Sequence, residues 1–111
     1  MPTIFNPEDL PVKRQNGVAS TTLANGAMVG SRALQIERVR LEAGSHTQPG
    51  QPTAAERFLY VVSGAGRARV GEAAYPLEAE SVLWIESGDG FWLEAPTEEL
   101  EVLICRAPAG E

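Results

Sequence analysis

Eleven glycines and eight prolines are spread along these 111 residues, between short apolar segments, and leave little room for a long helix. What remains is a series of short extended stretches separated by turn residues, the pattern of an all-β chain. Leu34, Ile36, Val39 and Leu41 mark one such stretch, ending at Glu42-Ala43-Gly44. Phe58-Leu59-Tyr60-Val61-Val62 is strongly β-prone, and Ser63-Gly64-Ala65-Gly66 is expected to stop it. Arg67-Ala68-Arg69-Val70 followed by Gly71-Glu72 has a hairpin pattern. Tyr75-Pro76-Leu77, Val82 to Ile85, Phe91-Trp92-Leu93 and Leu100 to Cys105 supply further strands, with a tight turn at Gly88-Asp89-Gly90. Short strands at this spacing predict a sandwich or closed barrel, which hides the sheet edges.

The N-terminal part reads differently. Pro2, Pro7 and Pro11 make the stretch up to Gly17 an irregular arm, with a helical turn over Pro7-Glu8-Asp9-Leu10. Val18 to Met28 suits an edge strand with a turn at Asn25-Gly26. Ser45 to Ala55, containing Pro49, Gly50 and Pro52, is expected to be a loop or irregular strand, because proline cannot donate to a ladder. Hydrophobic residues at 43% fill one modest core, so the expectation is one domain: residues 1–30 an arm and edge strand, 31–107 the barrel.

A formal charge of -6 repels phosphate backbones and anionic lipid, which argues against nucleic-acid and membrane partners. No apolar run approaches membrane-spanning length and the first residues lack the features of a secretory signal, so a cytoplasmic location is expected. Cys105 is the only cysteine and lies in an apolar run, which reads as a buried thiol.

The segment from Ala55 to Gly71 resembles the central hairpin of the cupins, and Glu80 to Phe91 resembles their second motif. The resemblance covers about residues 36–106. It implies a cupin jelly-roll barrel, a double-stranded β-helix, and a homodimer formed through the N-terminal arm and one barrel face. The phrase Glu56-Arg57-Phe58-Leu59-Tyr60-Val61, with a glycine and proline loop ahead of it, is similar to the metal-free barrel of ureidoglycine aminohydrolases.

The departures from the family pattern bear on function. The paired histidines that cupins use as metal ligands should fall within Gly50 to Thr53, which reads Gly50-Gln51-Pro52-Thr53. Their metal-binding glutamate falls on Arg57, or on Glu56 if a bulge intervenes, and their last histidine falls on Phe91. One histidine, His46, exists in the whole chain. A first-row metal needs three or four converging imidazole or carboxylate donors, so no metal and no other cofactor is expected.

Three readings are open. The leading one is a metal-independent barrel that binds a small organic ligand, such as a carboxylate, through Arg57 and Glu86 with Trp84, Phe91 and Trp92 around the lost ligand position. If Arg57 faces inward, Leu59 and Val61 share its face, and the buried charge requires an internal acid such as Glu86 or a ligand carboxylate. The second reading is a small isomerase, lyase or hydrolase with an atypical metal or acid-base site around His46, Gln48 and Glu56. The third is a non-catalytic structural dimer with a filled barrel.

Overall fold

The computed structural model describes residues 4, 6–50 and 53–108. Asn6 caps a 3-10 turn over Pro7–Asp9, as the proline at its start favours. Strands β1 (Lys13–Gln15) and β2 (Val18–Ala24) then form a hairpin closed by Asn16-Gly17, whose φ angles of 51° and 83° are both positive. Those angles suit the twist of a two-residue hairpin turn, for which Asn-Gly is the favoured pair. The expected irregular arm therefore contains a strand. Asn25 does not begin a β-turn; its side chain accepts from the Met28 amide and caps a four-residue helix, α1 (Gly26–Val29).

The remaining strands are β3 (Gln35–Leu41), β4 (Ser45–His46), β5 (Glu56–Val70), β6 (Ala73–Glu78), β7 (Val82–Ile85), β8 (Phe91–Ala95) and β9 (Leu100–Ala107). They form a curled antiparallel sheet in the order β1-β2-β3-β9-β5-β8-β4, with β6 and β7 also paired to β5. Two layers result: the first half of β5 pairs with β7 and β9, and its second half pairs with β6 and β8.

The glycines at Gly64 and Gly66 do not stop β5 but let one long strand pass from one layer to the other. Gly64 has φ 84°, and a Cβ there would collide with the backbone carbonyl of Glu99. A register shift between Val61 and Ser63 adds one residue at the crossing. One extra residue exchanges the two faces of a strand. Arg57, Leu59 and Val61 are accordingly buried before the shift, and Ala68 after it.

Leu41, Leu59, Val61, Ile85, Leu93, Leu100 and Val102 are the largest fully buried side chains and fill the space between the layers. Cys105 is half-buried, not deep in this core, because it alternates outward from Val102 along β9.

Candidate functional site

The bulge in β5 lies after Arg57 and not before it, which decides between Arg57 and Glu56: Arg57 turns inward and Glu56 is exposed. Arg57 retains only 4% of its surface. Its Nη1 donates to the carbonyl of Ala55 at 2.7 Å, and its Nη2 donates to the carbonyl of Asp89. These two carbonyls belong to the segments entering β5 and β8, so the guanidinium ties together the loops at this end of the barrel. Its Cζ stands 5.8 Å from the centre of the Phe91 ring, a cation-over-aromatic arrangement.

The strand register places Arg106 of β9 directly opposite Arg57, and Gln35 of β3 opposite Arg106. Directly paired residues share a face, so two guanidinium groups and an amide point to the same inner side. The Nε atoms of Arg57 and Arg106 are both buried without a hydrogen-bond partner. Among the described residues, the ion pairs that form are Arg40–Glu101, Arg67–Glu94 and Arg69–Glu94, and none reaches Arg57 or Arg106. Burial and then the neighbouring Arg106 pull the Arg57 pKa below its ordinary value, with the Asp89 charge opposing them. Glu37, two residues along the same face of β3 from Gln35, has its pKa raised by burial, partly offset by Lys13.

Sequence alone did not single out Gln35, Glu37 and Arg106. The signal for them was strand alternation: Arg106 is four residues beyond the apolar Val102, and therefore on the same face. Only pairing partners, which a single strand does not reveal, bring Arg106 to Arg57.

The other expected site residues divide between the faces. Phe91 lies against the core beside Arg57. Trp84 does not; it is 58% exposed on the outer face of β7, edge-on to Phe58 with ring centres 6.4 Å apart. Trp92 also faces away from the interior, since its neighbour Leu93 is the buried one, and its ring carries Arg69 at 5.7 Å and meets the His46 ring at 5.6 Å. Glu86 is exposed in the turn after β7, and it is the Asp89 carbonyl, not a Glu86 carboxylate, that meets Arg57. The expectation that Trp84, Glu86, Phe91 and Trp92 surround one interior site is corrected to Phe91 alone, because alternate residues of a strand face opposite ways.

His46, Gln48 and Glu56 are not brought together. His46 is exposed on β4, opposite Glu94, with Nδ1 3.0 Å from the carbonyl of Thr47, whereas Glu56 pairs with Ala107 on the other layer. Of the stretch where paired histidines were sought, Gln51 and Pro52 lie outside the described residues.

Open space lies beside the barrel, between the β1–β2 hairpin and the chain leaving β4. A cleft of about 220 Å³ is lined there by Lys13, Arg14, Ser20, His46, Thr47 and Gln48 among others, with no carboxylate in its wall among the described residues. In a chain with fifteen acidic and nine basic residues, that local excess of cations favours an anion. Lys13, on this wall, is also the residue whose charge acts on Glu37.

The fold is that of a cupin barrel, and the resemblance in sequence implies metal-ligand positions at Arg57 and Phe91. These residues do not fit a metal ion: a guanidinium adds positive charge where a ligand would be needed, and a phenyl ring offers no lone pair. Among the described residues no three His, Cys, Asp or Glu side chains come together as a metal set.

Solved structures match this chain over nearly its full length. One is a predicted oxalate decarboxylase from Thermotoga maritima, 18% identical, with TM-score 0.83 over 96% of this chain and 99% of that one. Another is KdgF from a Halomonas species, 15% identical, with TM-score 0.83 over 100% and 97%. A third is an RmlC-like cupin from Shewanella frigidimarina, 15% identical, with TM-score 0.83 over 100% and 95%. No family sequence model and no curated protein sequence matches the chain. No helix among the described residues is long and apolar enough to cross a membrane.

Proposed function

We propose that this chain is a metal-independent cupin barrel that binds a small organic anion, a carboxylate, at the end of the barrel marked by Arg57 and Arg106. The observation that carries this reading is the pair itself: two guanidinium groups directly opposed on the inner side, each with a buried and unpartnered Nε, and neither in an ion pair among the described residues. A buried charge without a counter-charge costs several kcal/mol, roughly, and a bound carboxylate removes that cost with the bidentate geometry a guanidinium favours.

The test is thermal unfolding in the presence of formate, acetate, oxalate, malonate and succinate, each compared with sodium chloride at equal ionic strength. At about a hundredfold excess over the dissociation constant, a ligand selective for the native state raises the unfolding midpoint by roughly 10 °C. Arg57→Met should abolish that response while leaving the chain folded. Equal midpoints in all the carboxylates and in chloride would overturn the proposal.

A further inference from the structure

Among the described residues the sheet does not close on itself: its pairing order begins at β1 and ends at β4, and the cleft of about 220 Å³ lies between these two strands. Both turn unpaired backbone groups toward it. Gln15 and Val18 close the two-residue hairpin as a hydrogen-bonded pair, so the N–H and C=O of the next residue, Arg14, point away from β2. On β4 the Thr47 amide donates to the Leu93 carbonyl, so the N–H and C=O of His46 point away from β8. Lys13 and Arg14 on one wall and His46 on the other take part in no ion pair among the described residues. Ser20, Thr47 and Gln48 add two hydroxyls and an amide. The Thr47 hydroxyl accepts from the Leu93 amide and keeps its own proton to donate. Of the acids near these cations, Glu94 across from His46 is bound by Arg69, and Glu37, on which the charge of Lys13 acts, is not part of the cleft wall.

We propose that this seam is a second anion site, which takes a phosphate group, either the free ion or a small monoester. Its donors are an ammonium group, hydroxyls, an amide and backbone N–H groups, and they stand on both walls of one cleft. A tetrahedral oxyanion presents oxygens in several directions and is served by such a set, with the lysine as a point charge, whereas a planar carboxylate is best matched by one guanidinium fork. The cleft is smaller than the roughly 300–1,000 Å³ that takes a drug-sized ligand, so a phosphate leaves space for a short ester chain only. The seam is also separate from the Arg57–Arg106 pair. Ser20 in the cleft wall pairs with Val39, four residues along β3 from the Gln35 that pairs with Arg106, which is about 13 Å of strand. The proposal therefore does not rest on carboxylate binding at the barrel end.

His46 is the one histidine of the chain, so its imidazole proton resonances identify themselves and report on the seam. The protein is titrated at constant pH with inorganic phosphate, with glycerol 3-phosphate, and with sodium chloride and acetate at equal ionic strength. Both phosphates should shift the His46 resonances saturably, with a dissociation constant of about 1 mM or tighter, and chloride and acetate should not. Tighter binding of the ester identifies a monoester as the ligand, and tighter binding of the free ion identifies phosphate itself. Lys13→Gln should weaken the response about tenfold or more. Lys13 is exposed on β1, so this variant keeps the core, and circular dichroism checks its fold. Arg57→Met should leave the phosphate response unchanged, which separates this site from the one at the barrel end. The proposal is overturned by a shift that does not saturate by about 20 mM or that chloride reproduces. Binding that survives Lys13→Gln undiminished, or that Arg57→Met abolishes, overturns it as well.

Discussion

Arg57 and Arg106 face each other across neighbouring strands with no carboxylate of the described residues in ion-pair reach of either, and each keeps a buried Nε without a partner. Arg57 at least donates to the carbonyls of Ala55 and Asp89. Those bonds use its Nη atoms to fasten two loops, and they do not neutralise the charge. The pair is therefore a local electrostatic strain, which the anion proposed above would relieve.

Arg106→Met is expected to separate these two roles. In anion-free buffer the substitution removes the like-charge neighbour of Arg57 and should raise the unfolding free energy by about 1 kcal/mol, the scale of two charges a few ångströms apart at an effective dielectric near 20 or above. The same substitution should weaken the stabilisation by carboxylates. Urea unfolding with and without malonate reads both. A variant less stable than wild type in anion-free buffer would mean that the guanidinium of Arg106 makes a favourable contact.

Gly64→Ala should prevent folding or cost several kcal/mol, roughly. The backbone is in the left-handed region at φ 84°, and the added methyl would enter the carbonyl of Glu99. Gly64 is paired with Leu100 and Glu99 immediately precedes β9, so neither can withdraw without disturbing the β5–β9 ladder. Gly71→Ala, in the β5–β6 hairpin at φ 60° but with nothing near its missing Cβ, should cost only about 1 kcal/mol. Comparison of the two by circular dichroism isolates the collision from the conformational strain.

The strands from Ile36 onward were legible because their signal is local: β-prone apolar residues bounded by glycine. The Ser63-Gly64-Ala65-Gly66 segment misled because glycine serves a turn and a strand crossing equally well; only the approach of Glu99, distant in sequence, distinguishes them. Asn16-Gly17 and Asn25-Gly26 carry the same dipeptide, yet one closes a hairpin and the other begins a helix. The difference lies in the next residues along the chain, since Val18 to Ala24 pairs with β3 in the first case. At the site, the position of Arg57 in the family pattern pointed to an inward residue, but its partner Arg106 belongs to a strand about fifty residues later. Trp84 and Trp92 lie close in sequence to the lost ligand position, but alternation from Ile85 and Leu93 puts both outside.

That outward placement sets an expected contrast between Trp84→Ala and Leu59→Ala. Leu59 is fully buried among core side chains, and its truncation should cost about 2–5 kcal/mol through lost transfer energy and the cavity left behind. Trp84, at 58% exposure, gives up its edge contact with Phe58 and little else, so about 1 kcal/mol or less is expected. Urea unfolding curves of the two variants measured side by side compare these costs.

Glu37 and Glu94 give opposite pH dependences. Burial raises the Glu37 pKa above its ordinary 4.5. A carboxyl that holds its proton more firmly in the folded chain stabilises the fold fully below the unfolded value, and that contribution is lost as pH rises through the folded value. Glu37→Gln should therefore match wild type near pH 4 and exceed it near pH 7, by about 1 kcal/mol or less. Glu94 is held below its ordinary 4.5 first by the Arg69 hydrogen bond, which burial opposes and the charges of Arg69, Arg67 and His46 reinforce. Its contribution is present above the unfolded value and is lost as pH falls through the folded one, so Glu94→Gln should weaken the fold near pH 7 and match wild type near pH 3. Urea midpoints across this range test both signs at once. A Glu37→Gln chain less stable than wild type at neutral pH would show that the carboxylate is paired within the barrel, most directly with Arg106, and would remove the uncompensated charge on which anion binding depends.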